Sequence, residues 1–559
     1  MTTRIEPADR LVIALAQIAC TVGDIEANAG AIRAARRQAA AMPADLVVFS
    51  ELFLAGYPPE DLVLKPAFQE ACRQQLEILA SETADGGPAI LVGTPWVEEG
   101  ACYNTQALLH SGKIQSVRFK VELPNYGVFD EKRVFRSGRM PGALVFRGVR
   151  LGVPICEDIW LPDVVECLAE TGAELLIVPN GSPYWRGKHD ERVQIALSRV
   201  AESGLPLIYL NQVGGQDELV FDGGSFALHA DHTLALQLPA FSACVAKTVW
   251  ERGEQTWVCR EGPRALLEEG DEADYCACVL GLRDYVDKNG FPGVVIGLSG
   301  GIDSALCAAM AVDAIGPERV HCVMLPYRFT SPGSLEDARE CARALGVRYD
   351  TLDITPAVEG LERVLAPLFA GRAPDVTEEN MQSRARGALL MSISNKFGPM
   401  LVTTGNKSEM SVGYATLYGD MNGGFNPIKD LYKSQVFRLA RLRNAWRPAD
   451  ARGPAGAPIP QRVIDKPPSA ELRANQTDQD SLPPYDQLDD ILECLVEREM
   501  RISDIVARGH DQAIVKKVER LLYLAEYKRR QSPPGVKVTK KNFGRDRRYP
   551  ILNGFRDPG

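Results

Sequence analysis

Short apolar runs alternate with longer amphipathic stretches along most of this chain. In the first half, the apolar runs predict buried strands over residues 11–17, 45–49, 89–93, 151–155, 174–179 and 207–211. Residues 24–41 and 187–203 have the apolar spacing of helices that lie between such strands. A second series begins near residue 272, with strands predicted over 293–298, 319–325 and 400–404. The alternation predicts the α/β fold class, with layered structure in both halves.

One polar stretch separates the two series. Residues 262–272 are polar and glycine-containing, and they interrupt the alternation of strands and helices. We therefore predict two domains, 1–268 and 269–559.

Two further segments depart from the pattern. Residues 446–484 are rich in proline, glycine and polar side chains, and a loop of this length inside a domain is usually disordered or a working lid. A last helix is predicted near 511–530. The tail from Lys528 to Arg548 holds nine basic residues and one acidic residue. Such a run is usually solvated or an electrostatic arm for an anionic partner.

Composition narrows the class of protein. With 559 residues the chain is long enough for several domains. Its 63 basic and 73 acidic residues give a net charge of −10, which argues against a general nucleic-acid or anionic-membrane coat. No apolar run reaches the length of a membrane span, and the N-terminus lacks the order of regions found in a signal peptide.

Cysteine and histidine usage adds a further restriction. Thirteen scattered cysteines without a C-x-x-C argue against a disulfide framework or a zinc ribbon. Six histidines without H-E-x-x-H argue against a histidine-based metal site. We therefore expect a reduced, soluble, cytoplasmic protein with no nucleic-acid and no membrane partner.

Three segments of the first half carry candidate chemistry. Glu51 lies in SELFLAGYPPEDL, Lys120 in RFKVELPNYGVFDE and Cys156 in GVPICEDIW. Glu51 and Cys156 directly follow apolar strands, where side chains of α/β proteins converge on a site. Cysteine attacks as the thiolate, a carboxylate can take its proton, and a lysine can hold an oxyanion. Taken singly, each residue has an ordinary interpretation as a core or surface side chain.

Together these segments resemble the nitrilase superfamily, and within it the glutaminase domain of the glutamine-dependent NAD+ synthetases. The resemblance implies that Glu51 is the general base, Lys120 the oxyanion stabiliser and Cys156 the nucleophile. It also implies glutamine-binding positions at Tyr126, Ser182 and Lys188. Glu131 and Glu157 either support this pocket or are structural carboxylates.

A glycine-rich loop in the second half is the sharpest local motif. In GVVIGLSGGIDSAL, residues 293–306, an apolar strand runs into small residues and then into a helix whose N–H groups suit a phosphate. GK[ST] does not follow and no G-x-G occurs, so Walker A and Rossmann fingerprints are absent. GLSGG also matches the hydrolase nucleophile elbow, for which only His321 and His510 lie downstream. A merely tight turn is the third interpretation.

SGGIDS resembles the PP-loop of the N-type ATP pyrophosphatases. The segments 401–436 and 466–472 resemble NAD+ synthetases in the same way. The ATP-binding positions implied are Gly297, Leu298, Ser299, Gly300, Gly301, Ile302, Asp303, Ser304, Thr404, Lys433 and Ser469. The resemblance also places Mg²⁺ at Asp303 and Glu409, and deamido-NAD at Asn380, Glu409 and Lys528.

The resemblance covers nearly the whole chain. It implies a nitrilase-like αββα sandwich followed by a Rossmann-like, parallel-sheet ATP pyrophosphatase domain. Glutamine would supply ammonia, and ATP would activate the carboxylate of deamido-NAD as an adenylate, giving NAD+, AMP and pyrophosphate. The same resemblance implies homo-oligomers and an internal passage for ammonia. An amidotransferase for another carboxylate and a catalytically inactive interaction protein are the alternatives, beside the hydrolase.

Overall fold

A computed structural model describes residues 8–474, 476–480 and 482–559. The chain divides into two compact units. The first comprises the residues up to Gln216 together with Val220–Glu268, and the second comprises Asp217–Leu219 together with Glu269–Gly559. Within the described residues, no helix is long and apolar enough to cross a membrane.

The N-terminal part of the chain is built mainly from strands. These are β1 (Arg10–Gln17), β2 (Leu46–Val48), β3 (Ala89–Glu98), β4 (Ala101–His110), β5 (Lys113–Phe119), β6 (Leu144–Phe146), β7 (Val149–Gly152), β8 (Leu175–Asn180), β9 (Leu207–Asn211), β10 (Val213–Gln216), β11 (Leu219–Asp222), β12 (Phe226–Leu228), β13 (Leu234–Gln237), β14 (Cys244–Arg252) and β15 (Trp257–Glu261). Its helices are α1 (Ile25–Ala41), α2 (Pro66–Glu82), α3 (Glu131–Val134), α4 (Asp163–Glu170) and α5 (Lys188–Ser203).

Two sheets of the first unit pack face to face. One has the order β15-β14-β1-β2-β3-β4-β5 and the other β13-β12-β9-β8-β7-β6. Apolar side chains of both sheets, such as Leu15 and Ile177, form one buried core between them. Helices α4 and α5 cover the second sheet through residues such as Leu168 and Val200, and α1 and α2 contact the first sheet. The predicted αββα sandwich is confirmed.

The C-terminal part is built mainly from helices around one small sheet. Its strands are β16 (Val294–Gly297), β17 (Val320–Met324), β18 (Arg348–Thr351) and β19 (Met400–Val402). Its helices are α6 (Gly270–Lys288), α7 (Ile302–Ile315), α8 (Pro332–Leu345), α9 (Thr355–Phe369), α10 (Val376–Phe397), α11 (Lys407–Val412), α12 (Lys433–Ala445), α13 (Gln461–Asp465), α14 (Tyr485–Val496), α15 (Ile502–Ala507), α16 (Gln512–Leu524) and α17 (Glu526–Arg529).

The sheet of the second unit is parallel, in the order β18-β17-β16-β19. The chain adds β17 and β18 on one side of β16 and then crosses to add β19 on the other side. Ligands of open α/β sheets bind at such a change of direction, beyond the carboxyl ends of the strands. The glycine-rich loop follows β16 at this point, so the fold confirms the predicted Rossmann-like arrangement.

The long polar segment 446–484 is ordered by different contacts in its two halves. In the first half, Arg443 donates to the carbonyl oxygens of Pro454 and Gly456 while it forms a buried ion pair with Asp313. The second half contains α13 and a short 3-10 helix, Asp478–Asp480. The first half is therefore anchored to α7 and α12, and only the second half remains a candidate lid.

The basic tail is packed in part, with some of its basic side chains buried and others exposed. Lys537 Nζ lies 2.5 Å from Asp546 Oδ2, and Arg547 Nη1 lies 2.9 Å from Glu526 Oε2. Val538, which directly follows Lys537 in the chain, is 1% exposed. The predicted helix over 511–530 is interrupted at Ala525, so that α16 and α17 are separate helices. These ion pairs compensate part of the positive charge that the sequence suggested for an anionic partner.

Candidate active sites

The first site lies at strand ends of the sandwich. Glu51 follows β2, Lys120 follows β5, and Cys156 begins a 3-10 helix, Cys156–Ile159, after β7. All three side chains are buried. Lys120 Nζ lies 2.6 Å from Glu51 Oε1 and 2.9 Å from both carboxylate oxygens of Glu131. The structure thus brings Glu131 into the pocket together with the predicted pair.

The carboxylate of Glu51 is held in one orientation. Asn104 Nδ2 donates to its Oε1 at 2.7 Å, and the backbone N–H of Gly181 donates to its Oε2 at 2.9 Å. Gly93 of β3 allows the loop after β2 to approach closely, because a Cβ there would lie 2.1 Å from the backbone nitrogen of Leu52. A base fixed in this way needs little reorganisation before it accepts a proton.

Cys156 has an unusual backbone and an electrostatically demanding environment. Its φ is +48°, a conformation that costs a non-glycine residue about 1–3 kcal/mol and is typical of functional sites. Burial and the negative charge of Glu51 raise the pKa of the Cys156 thiol, whereas Lys120 lowers it. Burial also raises the pKa of Glu131, to about 7, against the opposing charge of Lys120. The resting thiol is therefore neutral, and it requires a base to become a nucleophile.

The predicted glutamine-binding residues surround Cys156 with polar and aromatic groups. The hydroxyl of Tyr126 donates to Glu157 Oε1 at 2.9 Å. The ammonium of Lys188 lies 4.0 Å from the ring centroid of Trp160 and 3.8 Å from that of Trp185, and it pairs with a carboxylate on its own helix. Burial lowers the pKa of Lys188 to about 8.

Ser182 is fixed by residues that the sequence did not reveal. Arg192 Nε donates to Ser182 Oγ at 3.0 Å, and Arg192 Nη2 donates to its carbonyl oxygen at 2.8 Å. Asn211 accepts from the backbone N–H of Ser182, and Asp222 pairs with Arg192 at 2.8 Å. Arg192 follows Lys188 by one helical turn, a spacing that could have indicated a shared face. Trp160 ends the motif GVPICEDIW but was not singled out there, and neither Trp185 nor Asn211 was identified as a candidate.

The second site begins at the glycine-rich loop after β16. Ser299 Oγ lies 3.1 Å from Ser304 Oγ and accepts the backbone N–H of Gly301 at 3.3 Å. Gly300 has a φ of +79°, and a Cβ there would lie 2.3 Å from the carbonyl oxygen of Ser334. The loop therefore curls tightly against the start of α8, with α7 beginning at Ile302. Backbone N–H groups at such a helix start suit an anion.

Two predicted metal-binding carboxylates meet at one ammonium. Lys433 Nζ lies 2.5 Å from Asp303 Oδ2 and 3.2 Å from Glu409 Oε1. Asn406 donates to Asp303 Oδ1 at 2.9 Å and also caps the helix that carries Glu409. Asn406 and Glu409 form the N-x-x-E pattern of a capping box, which the sequence contained and our prediction missed.

Charge and burial act against each other at this cluster. Burial raises the pKa of Glu409 to about 8, against the opposing charge of Lys433. Burial favours a neutral Lys433, but the charges of Asp303 and Glu409 outweigh it and raise the pKa of this ammonium. The ammonium of Lys433 therefore keeps its charge at neutral pH, between the two acidic side chains.

A cavity of about 290 Å³ joins most of the predicted residues of the second unit. Those lining it are Gly297, Leu298, Ser299, Gly301, Ile302, Asp303, Ser304, Thr404, Glu409, Lys433 and Ser469. Of the predicted residues, Gly300, Asn380 and Lys528 lie outside the lining. Asn380 accepts from Thr416 Oγ1, and Lys528 Nζ donates to the carbonyl oxygens of Gly413 and Ala415, so that these two side chains contact the same short stretch of chain. Both therefore hold one turn, 413–416, at the margin of the cavity.

The second half of the 446–484 segment forms one wall of this cavity. Residues 466–472 line it, together with Asp478. Glu471 accepts from Ser331 Oγ at 2.9 Å and from Ser334 Oγ at 2.7 Å, at the start of α8. These hydrogen bonds hold the 466–472 wall over the glycine-rich loop.

The contacts of Ser299 exclude the hydrolase-elbow interpretation. In the described chain, His321 and His510 bond to Asp350 and Asp490 at 2.7 and 2.5 Å, and neither contacts Ser299. His321 is paired with Val295 across β16 and β17, well before the loop. Among the described residues, neither histidine is therefore placed to act as the base that a nucleophilic Ser299 needs.

The residues at Lys433 fit a hard divalent cation. Asp303 and Glu409 direct carboxylate oxygens towards the same positively charged atom, so their geometry already favours a cation between them. Among the described residues, no group of three or more Asp, Glu, His or Cys side chains is arranged to hold a metal. Mg²⁺ is commonly held by only one or two carboxylates, with phosphates and water completing its shell.

Comparisons with known proteins agree with these two sites. Residues 12–249 match the carbon-nitrogen hydrolase family, and residues 275–532 match the NAD synthase family. The chain is 54% identical to a glutamine-dependent NAD(+) synthetase of Rhodobacter capsulatus, over 98% of this chain and 99% of that protein. It is 48% identical to one of Xanthomonas campestris pv. campestris, over 98% of both chains.

A solved structure resembles the whole chain as well. It is that of a glutamine-dependent NAD+ synthetase from Acinetobacter baumannii in complex with ADP. Sequence identity is 42% and the TM-score is 0.77, and the match covers 98% of this chain and 100% of that one.

Proposed function

The chain belongs to the family of glutamine-dependent NAD+ synthetases, and from that premise we propose that its two domains divide the reaction between them. Residues 1–268 release ammonia from glutamine, and residues 269–559 use it to amidate deamido-NAD. The enzyme is a carbon–nitrogen ligase with glutamine as the amido donor. The observation that carries the proposal is the ion-paired Glu51 and Lys120, 2.6 Å apart in the pocket of a buried cysteine.

In the first domain, Cys156 attacks the side-chain amide of glutamine. Glu51 takes the thiol proton and passes it to the departing ammonia, while Lys120 stabilises the oxyanion. Water then hydrolyses the thioester, with Glu51 again as base. Tyr126, Ser182 and Lys188 bind the glutamine. This division of roles is supported by a base fixed by two hydrogen bonds beside a thiol that is neutral at rest.

In the second domain, the carboxylate of deamido-NAD attacks the α-phosphorus of ATP and pyrophosphate leaves. The loop from Gly297 to Ser304 binds the ATP phosphates, together with Thr404, Lys433 and Ser469. Asp303 and Glu409 would hold Mg²⁺, which when bound neutralises charge on the leaving pyrophosphate. Ammonia then displaces AMP from the adenylate.

The deamido-NAD lies beside the turn 413–416. Asn380 and Lys528 hold this turn from outside the cavity, and Glu409 lines the cavity next to it. The proposed contact with the nucleotide therefore requires that Asn380 exchange the hydroxyl of Thr416, and Lys528 a backbone carbonyl, for the ligand.

We further propose a cytoplasmic homo-oligomer, a dimer or larger, that acts on small molecules. None of the thirteen cysteines, all of which lie within the described residues, forms a disulfide bond, which suits a reducing compartment. Val364 and Leu368 of α9 are 75% and 79% exposed, and apolar side chains at such exposure support a contact with another copy.

Product analysis tests this function. The protein is incubated with ATP, Mg²⁺ and deamido-NAD, with either glutamine or ammonium as the nitrogen source. We expect NAD+, AMP and pyrophosphate in equal amounts from both sources, and glutamate only from glutamine. AMP formation with another carboxylic acid but not with deamido-NAD would favour an amidotransferase of different specificity.

A further inference from the structure

Asp158 occupies a position between the two catalytic segments of the first site. It is the third residue of the 3-10 helix that begins at Cys156, and its side chain is fully buried. Asp158 Oδ1 accepts the backbone N–H of Val121 at 3.0 Å and that of Glu122 at 2.7 Å. Its Oδ2 accepts the backbone N–H of Ile155 at 2.9 Å.

We propose that Asp158 is a positioning residue for glutamine hydrolysis, because its carboxylate joins the backbone that carries Lys120 to the backbone that carries Cys156. Val121 directly follows Lys120, and Ile155 directly precedes Cys156. The inference rests on the roles proposed for those two residues. Asp158 itself does not touch the substrate, since its oxygens are directed to backbone N–H groups.

The three hydrogen bonds fix the distance between the segments of Lys120 and Cys156, and the reaction depends on that distance. Lys120 stabilises the oxyanion only if its ammonium reaches the carbonyl oxygen that Cys156 attacks, and small displacements of such groups reduce rates strongly. Bonds from N–H groups to an ionised carboxylate are short and strong, and one buried anion here serves two segments that are distant in sequence. One of these bonds holds Ile155, the residue before Cys156. Cys156 itself has a left-handed φ of +48°, a conformation that needs support from its surroundings.

Replacing the carboxylate by an amide tests this role. In Asp158→Asn, one side-chain oxygen becomes an NH₂ group, so at least one backbone N–H loses its acceptor. We expect kcat for glutamine hydrolysis to fall by about tenfold or more, with KM for glutamine and ammonia-dependent synthesis each within about twofold of wild type. Alkylation of Cys156 by iodoacetamide should slow in parallel. Asp163→Asn, an exposed position at the start of α4, is the control and should change neither activity.

A second pair of variants changes the donor of one of these hydrogen bonds, the backbone N–H of Glu122, and leaves Asp158 intact. Glu122→Pro deletes one N–H that Asp158 accepts, whereas Glu122→Ala removes the same side chain and keeps that N–H. We expect the proline variant alone to lose kcat with KM retained. This pair decides the question if Asp158→Asn does not fold.

Wild-type kcat in a folded Asp158→Asn protein, or equal kcat in the two Glu122 variants, would overturn the proposal. A rise in KM for glutamine with kcat unchanged would overturn it too, because misplacement of Lys120 acts on the transition state. A wild-type protein that hydrolyses no glutamine would instead defeat the proposed function itself.

Discussion

At the scale of single residues, the nucleophile offers the simplest test of the glutaminase site. Cys156→Ala should reduce glutamine-dependent NAD+ formation by at least about 1,000-fold, because alanine offers no nucleophile to the amide. Synthesis from added ammonium should persist, since the second site needs only free ammonia. The measurement is NAD+ formation with each nitrogen source. Glutamine-driven synthesis that survives in this variant would contradict the triad.

Lys188 gives the glutamine site a predicted pH dependence. Burial lowers its pKa to about 8, so the cation is present below that pH and is lost as the pH rises through it. If this cation binds glutamine, KM should rise above pH 8 by about tenfold per pH unit. Lys188→Arg keeps its charge over this range, and its KM should stay flat from pH 7 to pH 9. Parallel profiles for both proteins would remove Lys188 from the binding site.

At the scale of elements, the glycine-rich loop depends on its close approach to α8. Gly300→Ala places a Cβ 2.3 Å from the carbonyl oxygen of Ser334, so we expect ATP-dependent synthesis to be lost and Tm to fall. Gly290→Ala is the matched control, because Gly290 also has a positive φ of +71° but has open space around its Cβ position. It should lose only about 1 kcal/mol of stability and keep its activity. Equal effects in both variants would mean that backbone strain alone is responsible.

The acidic residues of the second site should matter for both nitrogen sources. Asp303→Asn and Glu409→Gln each remove one charged oxygen ligand, so we expect NAD+ synthesis to fall by about 100-fold or more with glutamine or ammonium. Glutamine hydrolysis should continue at least in part, because its triad belongs to the other unit. The readouts are NAD+ and glutamate in the same reactions. Near-normal synthesis at saturating Mg²⁺ would rule out the metal role.

Sequence reasoning located candidate residues best where they follow directly after a strongly apolar strand. Glu51 and Cys156 come after such strands, and the loop from Ser299 to Ser304 lies at a sheet switch point that alternating strands and helices predict. Lys120 follows β5, whose side chains are half exposed, so periodicity did not identify that strand. The short strands β10–β13 were also not predicted, because runs of three or four residues are too short to show a period.

The remaining supports of the sites could not be predicted because they join distant parts of the chain. Asp158 reaches residues more than thirty positions earlier, and Arg443 reaches Asp313 across 130 positions. Hydrogen bonds of this kind leave no periodic trace in a single sequence. They became visible only once the fold had placed the backbone.

At the scale of the whole molecule, the presence of both sites in one chain bears on the fate of ammonia. Most ammonia is protonated at neutral pH, so direct transfer would preserve the reactive form. Wild-type enzyme supplied with ¹⁵N-amide glutamine in excess unlabelled ammonium should therefore give NAD+ that is mostly ¹⁵N-labelled. Mass spectrometry of the product measures this. Label diluted to the bulk ratio would mean that ammonia is released to solvent before it is used, and the passage implied by the family resemblance would have to be abandoned.

The ion pairing around Lys433 has a thermodynamic consequence for the order in which ligands are held. In the free protein, the counter-ions of this ammonium are the protein's own carboxylates, Asp303 and Glu409. A metal–nucleotide complex offers a new anion to the lysine and a new cation to the carboxylates, so the resident pairs are exchanged and no charge is left bare. The nucleotide alone would pair with Lys433 and leave the two acidic side chains without a cation. The metal alone would pair with the acidic side chains and leave Lys433 without an anion. A buried charge without a partner is strongly unfavourable. If Asp303 and Glu409 hold the divalent cation as proposed, nucleotide and cation are linked ligands, and each raises the affinity of the protein for the other by the same factor.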